Sequence, residues 1–208
     1  GTGCNCRGWD ASRQRRGRVT GDGPNHGEFA GASELIFMTT RALAYEWTGR
    51  GPATQLSKAF IEKYGVKDLT QLLQDNICRR IDINANDAPL VFQVAAQDDA
   101  VALDLVRWAG RELGELAITV IRQLDFQSLD FDLVQIGSMF DGSPLLTEEM
   151  KKTVSAFAPH ANFIRLQEPP VTGAVILGMQ ACGVQPEPEV RDRLSQSLRK
   201  LYHQYKKG

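Results

Sequence analysis

No apolar run among the 208 residues approaches the roughly 18–20 needed to cross a bilayer, so no membrane span is expected. Net charge is missing too. The 24 Lys and Arg stand against 25 Asp and Glu, leaving −1, which argues against nucleic acid or an anionic membrane as the main partner. Cysteine is scarce: Cys4, Cys6, Cys78 and Cys182 make no disulfide framework. A strand would turn Cys4 and Cys6 to one face. A metal site there would need further soft ligands, and none of the three histidines is close to the pair in sequence. Free thiols in a reducing cytoplasm are the reading. Internal repeats and low-complexity stretches are absent. A charged start followed by an apolar stretch is absent as well, so no signal peptide is read; a start inside a longer protein makes that uninformative. What remains is a soluble globular profile, 42% hydrophobic and 24% charged, long enough for one or two domains with a real core.

Along the chain, residues 1–20 read as a hairpin. Thr2 to Trp9 forms one arm, Arg18 to Thr20 starts the return, and Asp10 to Gly17 is a polar connection. The Arg13-Gln14-Arg15-Arg16 run reads as a solvated loop tip, because no aromatic residue interleaves it and the overall charge is not basic. The glycine-rich Gly21–Glu28 stretch is expected to be irregular. Helical spacing then runs from Ala30 to about Trp47, stopped by Gly49 to Pro52, with shorter helices over 54–64, 68–81 and 88–97. The clearest helix is 98–124. There Ala102, Leu105, Val106, Ala109, Leu113, Leu116, Ala117, Val120, Ile121 and Leu124 form one apolar face, and Asp98 and Asp99 suit its N-terminal dipole. A strand over 129–136, a helix over 147–157, a strand over 163–166 and helices over 172–182 and 188–205 complete the order. That ending is an alternating α/β pattern with a parallel strand pair.

Four stretches carry candidate chemistry. Gly1-Thr2-Gly3 offers amides and a hydroxyl for a phosphate, or is a plain tight turn. Ile136-Gly137-Ser138-Met139-Phe140-Asp141-Gly142 ends a strand, where open α/β sheets bind ligands, or its glycines only turn the corner. In Glu168-Pro169-Pro170-Val171-Thr172-Gly173-Ala174, the small residues open a helix to a ligand or to a packed neighbour. In the Gly21–Glu28 loop, Asp22, Asn25, His26 and Glu28 suit sugar hydroxyls, while a lone histidine there is more often an ordinary hydrogen-bonding residue. No catalytic triad is supported.

In order and separation these segments resemble the N-acetylglucosamine kinase family, within the superfamily joining sugar kinases to actin. The likeness runs from residue 1 to about Cys182. Gly1-Thr2-Gly3-Cys4-Asn5-Cys6-Arg7 resembles the family's phosphate-2 motif, and Gly21-Asp22-Gly23 through Gly27-Glu28 its sugar loop. Ile136-Gly137-Ser138-Met139-Phe140 resembles its adenosine motif, and Thr172-Gly173-Ala174 to Gly178 the small-residue helix behind the adenine. The resemblance implies a ribonuclease H-like α/β fold: the C-terminal domain of a two-domain sugar kinase. Residues 1–29 would be the phosphate-2 hairpin and sugar loop, 30–97 a helical insertion, and 98–208 the α/β part, with the first strand and the N-terminal domain missing. It implies ATP and Mg²⁺ as cofactors and phosphorylation of an amino sugar. Gly1, Thr2 and Gly3 would bind phosphate, and Asn5, Gly21, Asp22, Gly23 and Glu28 the sugar. Gly137, Ser138, Gly173 and Ala174 would line the adenosine. No residue is assigned to a metal. A homodimer is compatible with all of this.

The sequence departs from the family at Cys4, where serine is usual, and at Pro24-Asn25-His26, where tryptophan-histidine is common. Two alternatives stand beside the kinase: an ATPase activator of the benzoyl-CoA reductase or 2-hydroxyacyl-CoA dehydratase type, with a cysteine-held iron–sulfur cluster, and a non-catalytic sugar-binding regulator. The family's phosphate-1 loop and general base are expected upstream of Gly1, so no catalytic residue is named. Losing a base costs about 10²–10⁴ in rate, and lost positioning roughly 7–11 kcal/mol more. The 208 residues alone are therefore expected to be silent in a coupled ADP-release assay with an amino sugar. Turnover there would overturn the reading.

Overall fold

The computed structural model describes residues 3–205, with side chains described to residue 201. It is mixed α/β and mostly helical, with two separate two-stranded sheets. The chain divides into two compact units. One takes the residues up to Asp132 together with Gly137–Asn162; the other takes Leu133–Ile136 and the chain from Phe163 onward.

The first unit opens with an antiparallel hairpin, β1 (Arg7–Asp10) and β2 (Arg15–Arg18), pairing Arg7 with Arg18 and Asp10 with Arg15. Its connection is shorter than the sequence suggests, and Arg15 and Arg16 lie on a strand instead of a loop tip. The cause is Asp10. Its buried carboxylate accepts hydrogen bonds from Ser12 N, Ser12 Oγ and Arg13 N, folding the turn within four residues.

Helix α5 (Ala100–Leu124) organises this unit. Asp99 caps it by accepting from Ala102 N, and also accepts from Thr54 Oγ1 and Gln55 N, which ties in the start of α2 (Gln55–Tyr64). All the expected apolar positions of α5 are buried except Leu113, which is partly buried; Gly110, Gly114 and Ile118 join them. Its first half shares a core with α1 (Ala32–Thr48), α2, α3 (Leu69–Ile77), α4 (Ala88–Ala95) and α6 (Pro144–Phe157), around Leu35, Leu43, Leu56, Phe60, Leu72, Val91 and Leu146. Helix α3 stops at Ile77 and not near residue 81, because Arg79 takes a left-handed turn (φ 55°). Helix α6 starts earlier than expected because Pro144 suits a first helical turn.

The far end of α5 carries the hairpin. Gly8 and Gly17 face each other across the strands, and a Cβ at Gly8 would stand 2.6 Å from Leu124 Cδ1. Arg15 donates to the Leu124 carbonyl and to Asp125 at the helix C-terminus, where a cation is favoured. The Gln123 side chain accepts from Arg18 N and donates to Arg18 O, so it closes the outer edge of β2.

The strands β3 (Phe131–Gln135) and β4 (Ala161–Arg165) pair with each other, with α6 between them in sequence. The second unit holds the ends of these strands, α7 (Pro170–Ala181) and α8 (Pro188–Tyr205). Arg199 of α8 pairs with Glu168 ahead of α7. Val134 and Ile164 on the strands, Ile136 just past β3, and Val171, Val175 and Leu177 on α7 are exposed, and Thr172 is the buried residue of that helix. Among the described residues no helix is long and apolar enough to cross a membrane.

Gly110 and Gly114 fix the approach of α6 to α5. A Cβ at Gly110 would meet the Leu146 carbonyl oxygen at 2.5 Å, and backbone cannot swing aside. Gly110→Ala should therefore destabilise the chain by about 1–3 kcal/mol through overpacking, read as a lower thermal midpoint. An unchanged midpoint would contradict this spacing.

Candidate functional site

The loop from Thr20 to Glu28 is built around one carboxylate. Glu28 is buried, and its Oε1 accepts from Thr20 N at 2.6 Å and Thr20 Oγ1 at 2.7 Å. Its Oε2 accepts from Gly21 N at 2.8 Å and Gly23 N at 3.4 Å. Four donors occupy the two oxygens, about the capacity of a carboxylate. Burial alone would raise the Glu28 carboxyl, but the hydrogen bonds from Thr20, Gly21 and Gly23 outweigh it and hold the group below its ordinary value. Within the loop Gly21 (φ 79°) and Gly23 (φ 68°) take left-handed conformations that favour glycine. A single 3-10 turn, Gly23–His26, lies inside the stretch expected to be irregular.

Several sequence-predicted sugar residues come together here. A Cβ on Gly21 would lie 3.1 Å from Asn5 Nδ2, so the exposed Asn5 amide sits directly beside the loop. Asp22 is exposed and faces His26, whose Nδ1 lies 3.5 Å from the Asp22 carboxylate and 3.1 Å from Thr20 Oγ1. Glu28, expected to touch sugar, spends its oxygens on its own loop and acts as a positioning residue. The groups it leaves at the surface are Asn5, Asp22, Asn25 and His26.

Two further residues lie close to this loop, and the first of them, Glu34, was not singled out by sequence. Glu34, buried in the first turn of α1, accepts from Gly31 N at 2.8 Å, and its other oxygen lies 4.0 Å from the Cβ point of Gly23. The Gly-x-x-Glu spacing from Gly31 was the readable signal, since a glutamate three residues past an N-cap reaches back to it. Cys4, the family departure, accepts a hydrogen bond from Ala30 N at 3.4 Å. Burial chiefly raises the Cys4 thiol, with help from the Glu34 and Glu28 charges, and burial pushes Cys6 up to about 11. Both therefore stay protonated near neutrality.

The remaining predicted positions lie elsewhere. Gly1 and Thr2 fall outside the described residues, and Gly3 is exposed with nothing within 4 Å of its Cβ position. Gly137 (φ 113°) directly precedes the single turn Ser138–Asp141, and nothing lies within 4 Å of its Cβ position. That turn is seated on α4 by Gly142, whose Cβ would strike the Phe92 ring at 2.3 Å. Gly173 and Ala174, in the second unit, are exposed in the first turn of α7. Between them and the prolines stands Thr172, whose buried hydroxyl has no hydrogen-bond partner among the described residues. No group of three His, Cys, Asp or Glu side chains fit to hold a metal occurs among the described residues. Compared with models of known protein families and with curated protein sequences, the chain matches none.

Because Glu28 has a lowered folded-state value, its contribution is complete above the ordinary carboxyl range near 4.3 and is lost as pH falls through the lower folded value. Amide exchange at residues 20–23 should accordingly accelerate below about pH 4. Glu28→Gln replaces one acceptor with a donor facing buried N–H groups. It should produce the same acceleration at neutral pH and cost about 1–3 kcal/mol in urea denaturation. Unchanged exchange in both conditions would remove Glu28 from this role.

Proposed function

We propose that the chain belongs to an ATP-dependent kinase that phosphorylates an amino sugar such as N-acetylglucosamine, in the cytoplasm. The observation that carries this reading is the meeting of two separate motif segments: the Asn5 amide lies against Gly21 of a loop held by Glu28. A rigid glycine loop flanked by an amide, a carboxylate and an imidazole suits a ligand dense in hydroxyl groups. Asn5, with both donor and acceptor, would orient the sugar, while Asp22 and His26 accept from or donate to neighbouring hydroxyls. Glu28 keeps the loop from collapsing into the space the sugar needs.

A nucleotide would be held at the positions the family likeness names. In the first unit no atom lies within 4 Å of the Gly137 Cβ position; in the second, taken by itself, α7 opens with small exposed residues, and the buried Thr172 hydroxyl has no hydrogen-bond partner among the described residues. Gly1, Thr2 and Gly3 would hold the phosphates through backbone amides. ATP, with Mg²⁺ on its phosphates, supplies the transferred phosphoryl group, and the likeness assigns the general base to none of these 208 residues. The activator alternative is less favoured. The Cys4/Cys6 spacing gives it little support.

Titrating N-acetylglucosamine into ¹⁵N-labelled chain should shift the Asn5 side-chain amide and the backbone amides of residues 20–28. Asn5→Ala should weaken that binding roughly three- to ten-fold, the value of a hydrogen bond lost at a polar contact. Shifts confined to other regions, or no shifts at all, would sink the sugar-site reading.

A further inference from the structure

The hairpin has two faces, and only one is used by the fold. Val19 N donates to Cys6 O, which makes Cys6–Val19, Gly8–Gly17 and Asp10–Arg15 the hydrogen-bonded pairs, and Arg7–Arg18 and Trp9–Arg16 the close, non-bonded ones. Gly8 and Gly17 face Val120 and Leu124 of α5. By alternation Arg7, Trp9, Arg16 and Arg18 share the opposite face. All four are exposed, Trp9 by 48%. The Arg16 guanidinium lies 5.5 Å from the centre of the Trp9 ring.

The charges on this face are not offset. Arg13 and Arg15 are answered by Asp10 and Asp125. Arg7, Arg16 and Arg18 form no ion pair with any described residue. Arg7 stands directly opposite Arg18 in a close pair, an arrangement that costs stability. Three unanswered guanidiniums around a half-exposed indole form a small platform with two chemistries, cationic and stacking. Sequence order hides it, since the aromatic residue interleaves the arginines across the strands and not along them.

We propose that this outer hairpin face binds single-stranded nucleic acid, with Arg7, Arg16 and Arg18 on phosphates and Trp9 stacking a base. An acidic polypeptide would match the charge but has no use for the indole, whereas every base offers a π-face. The inference does not rest on the kinase reading: Arg7 ends the segment likened to the phosphate-2 motif, but none of the four residues is assigned there to sugar or nucleotide and none belongs to the loop around Glu28.

Fluorescence anisotropy with labelled oligothymidylate and oligouridylate strands of about 16 nucleotides, the upper range of such site sizes, tests it on the 208-residue chain. Binding of either strand is the expected result, and comparing the two tells DNA from RNA. The logarithm of affinity should fall with that of salt at a slope of about −2, for three contacts at about 0.7 each. Trp9→Ala should weaken binding about ten-fold, and Arg7→Gln with Arg18→Gln should reduce the slope to about −0.7. Arg41→Gln, on α1, should change nothing. In the unsubstituted chain the strand should quench tryptophan emission, and Trp9→Phe should remove that quenching. This readout holds even where the double variant folds poorly. No binding at low salt, affinity indifferent to Trp9 and the arginines, or equal competition by polyglutamate would overturn the proposal, the last in favour of an acidic polypeptide.

Discussion

Helix α5 meets the hairpin at Gly8 and Gly17 and meets α6 at Gly110 and Gly114, and at all four a methyl group would come within 3.0 Å of a neighbouring atom. The larger unit is thus spaced by absent side chains. Closeness at one end lets Arg15 reach the last carbonyl of α5 and lets Gln123 dress the edge of β2. Closeness at the other end brings Leu146 into the shared core. Because interiors are packed nearly as densely as crystals, a change of one methyl at these contacts is felt along the whole helix.

Buried and half-buried acids finish what the glycines begin. Asp10 folds the hairpin turn, Asp99 joins the starts of α2 and α5, Glu28 shapes the loop, and Asp87 gathers Lys63, Tyr64 and Asn84 N. Each is a carboxylate surrounded by donors, the condition under which burying a charge is tolerable. The Thr20–Glu28 loop therefore inherits its shape from the same device that builds the scaffold. This explains why its glutamate is structural while its exposed polar groups remain available.

The helices were legible because burial repeats along a chain in a period the eye can follow. Ala102 to Leu124 announced one face of α5, and the structure buries it. The hairpin was legible as a hairpin but not in register. Moving its turn from residues 10–17 to 11–14 converts Arg15 and Arg16 from loop residues into strand neighbours facing opposite ways, the consequence of a period of two. In the loop, Gly21 and Glu28 stood out by type, yet the job of Glu28 depends on four donors whose directions no spacing rule supplies. Glu34 went unnoticed because a glutamate in a first helical turn is commonplace, and only its nearness to Gly23 sets it apart.

The same blindness to register bears on charge. A net charge of −1 describes the chain as a distant ion would feel it. A ligand touching the hairpin face meets Arg7, Arg16 and Arg18, while Asp10, Asp125 and Asp87 are already engaged by Arg13, Arg15 and Lys63. Screening within about 8–10 Å at ordinary salt makes the local sum the operative one. An argument from total charge against a polyanion therefore applies to the molecule at long range and does not address this face. What sets the local charge is not the number of arginines but the parity that turns Arg15 inward to Leu124 and Arg16 outward to Trp9.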